Sequence, residues 1–431
     1  MWVNPALRLV SSDAMALIES ERSATERCAV ETGQLEVLLI DELCAGSAPL
    51  RGTMTLFFLS LFGKSHRAVG TSKAMWEYVY LLQRYALTSI PSLLRALVLA
   101  PASLIQHGYD GGHRRLPPRL AATRILDHWL VGPGQYSEAD AEALARALTG
   151  WSLEAPPGRS MPSDIDPRGA RKNQRTGLVP RFDPERFDGR EKTILGSTGD
   201  FDALRALDVL ALHPRCAAFY AERLIGYFGV VDPNGRLLND LTRVYLDRSG
   251  DVSALLETLV CSDEFGSTAS RWQLIKSPVH LAVGACRAMD VAPRRGPNVR
   301  RWLKACGPSL LDAPMRGAEP WPAGRDWLLP AARLAARYRL GEALFGAPSA
   351  LGLRSREVEA GRADSAVVPW MDELDADGDA ARVVDGVLER LDPAPGLRPT
   401  LLAAAANGTP GLGLARRVVL RLFSTPEFQL A

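Results

Sequence analysis

The stretch YSEADAEALARALTGW, residues 136–151, sets the period in which most of the chain is written. Ser137 is a good N-cap, and Asp140 three residues on makes a variant of the capping box. Ala141, Leu144, Ala145 and Leu148 then fall on one face at the 3.6-residue spacing, and Gly150 supplies the stop. The same grammar recurs outward from it. In DVSALLETLVCSDEF (251–265) Asp251 caps, and Val252, Leu255, Leu256 and Leu259 form the stripe. In SPVHLAVGACRAM (277–289) Ser277 is the cap and Pro278 takes the first helical position, where the missing N–H is no loss. ALHPRCAAFYAERLIGYFG (211–229) is a further amphipathic run ended by glycine, with His213 as a helix-start residue. The expected fold is mainly α, a large multi-helix protein around a single core.

One region leaves this period. Residues 154–177 have almost no apolar rhythm and read as a long excursion. The charged run RFDPERFDGREKTILGSTG (181–199) that follows suggests a short β-hairpin within 178–195, with strands near 178–183 and 190–195 turning at Asp188-Gly189. A second break, rich in Ala, Gly, Ser and acids, runs from 347 to 379. The expected organisation is a helical lead-in at 1–49 and a main helical core at 50–346 that carries the insertion 154–199. A flexible acidic and glycine-rich loop at 347–379 and helices at 380–431 that pack back on the core complete it. LLETLVCSDEF (255–265) and RVVLRLFSTPEF (417–428) echo one another, so both helices are expected to end in a similar docked corner.

Composition narrows the function classes. The 431 residues are 47% hydrophobic and 23% charged, which fits an ordinary globular chain. A net charge of +2 gives no electrostatic case for nucleic acid, and local Arg runs such as HRRLPPR (113–119) read as solvated loop faces. The six cysteines form no CxxC pair and no zinc spacing. The start lacks a basic region followed by an apolar run, and the apolar windows 54–62 and 90–105 fall short of a membrane span. The expectation is a cytoplasmic protein as written, exported if the true start lies upstream. No GxSxG, P-loop or GxGxxG stands in a strand-turn-helix context.

Three stretches tempt a chemical reading. HGYDGGH (107–113) groups His107, Asp110 and His113, but the spacing matches no established ligand pattern, and a glycine-rich turn is the better account. DELDADGDAARVVD (372–385) resembles a calcium loop until its twelfth position, where Val384 replaces the bidentate Glu; an acidic loop with Asp379 capping the next helix fits instead. EPWPAGRDW (319–327) sets Trp321 and Trp327 around Arg325 and Asp326. That arrangement suits either a stacking platform for a sugar or partner, or a lid on the helical core. No metal and no cofactor is expected.

The segments YSEADAEALARALTGW, FDGREKTILG, KSPVHLAVGACRAM, LLDAPMRGAEPWPAGRDWL and LRLFSTPEF stand in this order along the chain. Together they resemble successive landmarks of the bacterial domain-of-unknown-function family numbered 1800, over about residues 50–431. The resemblance implies a mostly helical protein, usually exported, often encoded beside a sulfatase-like family, and without a settled activity. This chain departs from the family pattern at three places. FFLSLF (57–62) has Leu61 where relatives tend to have histidine, PPRLAAT (117–123) lacks the family's acids, and Phe187 precedes Asp188 where relatives tend to read His-Asp. If the family is enzymatic, these changes imply that this member has lost the chemistry.

Two readings of function therefore stand. The first is a non-catalytic scaffold that binds a partner protein or a glycan through a face made of Trp151, the 181–199 hairpin and Trp321/Trp327. A sulfatase-like protein is the partner that the resemblance suggests, and no nucleic acid or membrane span is expected. Tyr136, Glu138, Arg146, Trp151, Asp188, Arg190, Lys192, Trp321, Arg325 and Trp327 are its candidate binding residues. The second is an uncharacterised hydrolase-type enzyme that uses Asp188, Lys192, Glu138 and Arg146 as acid/base and anion-holding groups. Convergence of those four side chains in one closed pocket would favour the enzyme.

Overall fold

Caps written in the sequence open the helices. Ser137 Oγ accepts from the Asp140 amide, Asp140 Oδ2 accepts from the Ser137 amide, and the helix Glu138–Ala147 follows. His213, Asp251 and Ser277 cap the helices Pro214–Tyr227, Val252–Val260 and Pro278–Ala288 through their side chains. The computed structural model describes residues 24–154, 178–290, 296–313, 324–345, 368–393, 395–406 and 413–431.

α-Helices longer than four residues are numbered along the chain. The first half holds α1 (Ala24–Ala45), α2 (Pro49–Phe62), α3 (Ser72–Tyr85), α4 (Ile90–Val98), α5 (Pro101–His107), α6 (Arg119–Ile125) and α7 (Glu138–Ala147). After the strands come α8 (Ala203–Ala211), α9 (Pro214–Tyr227), α10 (Arg236–Asp247), α11 (Val252–Val260), α12 (Pro278–Ala288) and α13 (Gly296–Cys306). The last are α14 (Ala331–Arg337), α15 (Leu340–Phe345), α16 (Pro369–Asp377), α17 (Ala380–Leu391), α18 (Arg398–Ala406) and α19 (Leu414–Phe423). The protein is mainly α. A π-helical turn, Leu126–Leu130, extends α6 and turns Trp129 into the core.

The β structure among the described residues is two small antiparallel pairs. Strand β1 (Trp151–Glu154) pairs with β2 (Val179–Phe182), setting Trp151 opposite Phe182. Strand β3 (Lys192–Ile194) turns through Leu195 and Gly196, both at positive φ, into β4 (Ser197–Gly199). A short hairpin thus lies where the charged run suggested, but 178–183 and 190–195 do not pair with each other. The Asp188-Gly189 turn is overridden because the Asp188 amide donates to Thr149 Oγ1, 2.9 Å away, which ties the loop to the end of α7.

The stretch 347–379 also differs from its reading as a loop. Residues 346–367 lie outside the described residues, and helix returns at Pro369 rather than near 380. Pro369 stands in the first turn of α16, Trp370 and Met371 are buried, and α16 packs on α17 and α19. Asp379 caps α17, as its sequence position suggests.

One cluster of buried apolar side chains takes in Leu35 of α1 and Phe428 near the end of the chain. Helix α1 is more than a lead-in, since it packs on α12 and α13 and buries Glu36 against Arg300 and the Leu311 amide. The echoed corners share one device. Ser262 donates to Leu259 O and accepts the Phe265 amide, while Thr425 donates to Leu422 O and accepts the Phe428 amide. The last residues then run antiparallel to 274–276, with Leu274 and Ala431 exchanging backbone hydrogen bonds. No single helix among the described residues is long and apolar enough to cross a membrane. The bent pair α4–α5, broken by 69°, is a core element, with Leu93, Leu94, Leu97 and Leu104 fully buried.

Candidate functional site

The charged loop closes on itself at Asp188. Gly150 has φ 90°, and a Cβ there would lie 2.8 Å from the Phe182 ring and 3.0 Å from Phe187 Cβ, so only glycine lets the chain leave α7 this way. The Asp188 carboxylate accepts from Arg146 Nε (2.9 Å) and Nη2 (3.2 Å). It also accepts from the Arg190 amide (3.1 Å), Nε (3.0 Å) and Nη2 (2.5 Å). Lys192 Nζ donates to the carbonyls of Asp188 (2.6 Å) and Arg190 (2.8 Å) and sits 4.8 Å from the centre of the Phe187 ring. Asp188 is 3% exposed and Lys192 1%, so both charges sit inside this knot.

The electrostatics follow from the geometry. Hydrogen bonds from the Arg190 guanidinium, and then from Arg146, hold the Asp188 carboxyl far below the usual carboxylate range against the opposing effect of burial. Burial lowers Lys192, with Arg146 and Arg190 acting in the same direction and Asp188 opposing. A general base needs a free lone pair within reach of the proton it removes. Asp188 instead has five donors on its two oxygens, and the Lys192 ammonium is spent on two carbonyls.

The other candidate residues are distributed around or away from this knot. Glu138 is 87% exposed at its side chain and pairs with Arg119, so it does not share a pocket with Asp188. Tyr136 donates to Asp127 Oδ1 at 2.9 Å, and its phenol is pushed up to about 12, first by burial and then by that carboxylate. Trp151 packs on Phe182, which packs on Phe187, with ring centres 5.2 and 5.3 Å apart. Phe187 thus serves the knot as an aromatic floor. Trp327 belongs elsewhere, buried in the wall of a cavity between α2, α9 and α12. Trp321 and the Arg325 side chain lie outside the described residues.

The His107, Asp110 and His113 side chains turn to separate partners. Asp110 accepts the Leu153 amide and His113 accepts the Arg115 amide. Among the described residues no three metal-ligating side chains come together. His107 forms half of a buried pair that the sequence did not announce, its Nε2 lying 2.7 Å from Lys64 Nζ. The ammonium lies 4.9 Å from the Trp129 ring centre and 5.1 Å from that of Tyr78. Burial pushes both groups well down, and Arg124 adds to it in each case.

The cavity at Trp327 was also missed. It is an open-mouthed pocket of about 270 Å³, lined by Leu56, Phe57, Leu61, Tyr227, His280 and Trp327, among others. Tyr227 Oη lies 2.9 Å from His280 Nε2 and donates to Thr53 O at 3.1 Å. Burial, then Lys276, lowers His280 to about 4, so this imidazole is neutral at neutral pH. Its lining residues run from Leu56 to Trp327 along the chain, so no local spacing in the sequence marks this place.

Residues 129–430 match the family described as Protein of unknown function (DUF1800). The match opens at Trp129 rather than near residue 50, so FFLSLF and PPRLAAT lie ahead of it. No curated protein and no solved structure matches the chain. The match spans well over half of the sequence, and the chain belongs to the DUF1800 family.

Proposed function

We propose that this protein is a non-catalytic helical scaffold that binds a partner. The observation that supports this reading is the saturation of the Asp188 knot. Every strong acceptor of its carboxylate is taken by Arg146 and Arg190, and Lys192 is buried against carbonyls. Of the four groups an enzyme would need, Glu138 stands in solvent and the other three hold a loop to α7. Such a device fixes the shape of the 181–199 segment, with Trp151 and Phe182 packed beside it, as rigid recognition surfaces require. A protein partner of the sulfatase-like kind, or a glycan, remains the expected occupant of that face.

The test is a turnover screen on ester, sulfate-ester, phosphate-ester and glycoside substrates, run with the wild-type chain and with Asp188→Asn. The scaffold reading expects no turnover and a lowered melting temperature for the variant. Turnover that vanishes in Asp188→Asn while its melting temperature stays at the wild-type value would establish the enzyme instead.

A further inference from the structure

The cavity under Trp327 has the form of a ligand site. Its volume of about 270 Å³ lies just under the ~300 Å³ at which ordinary small-molecule pockets begin. A dry apolar cavity of ~150 Å³ takes up benzene, so this one has room for one or two rings. Its walls are apolar, with Leu56, Phe57 and Leu61 of α2 on one side and Val279 and Trp327 on others. Flat aromatic walls favour flat aromatic or alicyclic occupants over flexible chains. Gly226 of α9 lines the cavity at its exposed edge, and a Cβ built on it meets no atom within 4 Å, so the mouth is open there.

Few polar groups face this space with capacity to spare. Ser60 Oγ donates to Phe57 O, and Ser277 Oγ accepts the His280 amide as the cap of α12. The Tyr227–His280 pair is different. With the Tyr227 proton on Thr53 O, His280 Nε2 donates to Tyr227 Oη, and the phenol oxygen retains a lone pair. Glu222 and Arg223, one charge of each sign, are the ionic side chains on the lining. A neutral ligand therefore fits better than an ion, since these two charges oppose one another and both stand in solvent at the rim.

We infer that this cavity binds a small neutral compound of one or two rings that carries a single O–H or N–H group, held by the Tyr227–His280 pair. The inference deepens the binding reading above and rests on it. A protein side chain is the less favoured occupant. None of the large apolar residues exposed on the described surface is among the lining residues, and Leu61, Leu274 and Ile275 on the lining are only half-exposed, which leaves a docked chain little apolar surface to seat on.

The test titrates the full-length protein with 2-naphthol, naphthalene and indole by calorimetry and thermal shift. Saturable one-to-one binding of 2-naphthol is expected, raising the melting temperature by about 2 °C at tenfold excess over Kd. Gly226→Leu fills the open space and should abolish binding. Leu61→Phe, a filling change from the opposite wall, keeps the test alive if the first variant does not fold. Tyr227→Phe should weaken 2-naphthol about tenfold and leave naphthalene unchanged. Absence of saturable binding by all three probes, or binding that survives both filling variants, overturns the inference. A protein that takes up no probe yet captures a purified sulfatase-like partner overturns it too, while leaving the scaffold reading intact. Turnover in the substrate screen would do the reverse.

Discussion

At Asp188 a carboxylate accepts five hydrogen bonds while 3% exposed, so its removal strands Arg146 and Arg190 beside each other without an anion. Breaking such a buried pair from one side typically costs ~3–5 kcal/mol, and the exposure of Arg190 softens the loss here. Asp188→Ala is therefore expected to lose about 2–4 kcal/mol in chemical denaturation. An unchanged midpoint would show that the knot holds nothing. His280 makes a pH prediction of its own. Its folded value is depressed from 6.5 to about 4, so below pH 6.5 the unfolded chain takes the proton first. Stability then declines as pH falls from 6.5 towards 4, at up to about 1.4 kcal/mol per pH unit from this one residue. His280→Gln should flatten that part of the stability profile, and equal slopes in both proteins would refute the assignment. At this scale the sequence was legible where chemistry is local. Asp188, Arg190 and Lys192 lie within five positions and could be read together. Lys64 and His107 are separated by 43 positions, and no spacing rule links a lysine before a short helix to the end of α5.

The elements show where local signals win and where they lose. Caps were legible because a side chain and the amide it serves lie three residues apart, as at Ser137, Asp251 and Ser277. The Asp188-Gly189 turn signal lost, because Thr149 captured the Asp188 amide and Gly150 let β1 leave α7 toward β2. Gly150→Ala isolates that junction. It combines strain at φ 90° with contacts of 2.8 and 3.0 Å to Phe182 and Phe187, for an expected loss of about 2–5 kcal/mol. Gly134→Ala is the control, with φ 75° and nothing within 4 Å of the added Cβ, and should lose only the conformational part, about 1–2 kcal/mol. Equal losses at the two sites would mean that packing around β1 is loose. Helix α16 was illegible for the converse reason. Its acidic sequence offers few apolar positions, and only contact with α17 and α19 makes burial of Trp370 and Met371 possible.

Across the whole molecule the periodicity of the helices was enough to read a mainly α protein, but not how its end returns. That closure is carried by pairs far apart in sequence. Lys276 Nζ reaches Phe428 O across 152 positions, and Arg337, fully buried, donates to Gln429 Oε1 and Lys276 O. Leu274 and Ala431 exchange backbone hydrogen bonds, and the 274–276 segment they secure leads into α12, one wall of the Trp327 cavity. The α16–α19 group also packs on α12 and α15, so its apolar faces have no other place to go. A protease site engineered between residues 350 and 365 separates these contacts from chain connectivity. If one core spans both sides, the nicked halves should co-elute on gel filtration and melt in one transition, lowered by the entropy released on cutting the chain. Arg337→Met should then weaken their association further, because it leaves Gln429 Oε1 and Lys276 O without their donor. Halves that separate on cleavage and melt independently would show two cores, and would remove the C-terminal segment as a support for the cavity.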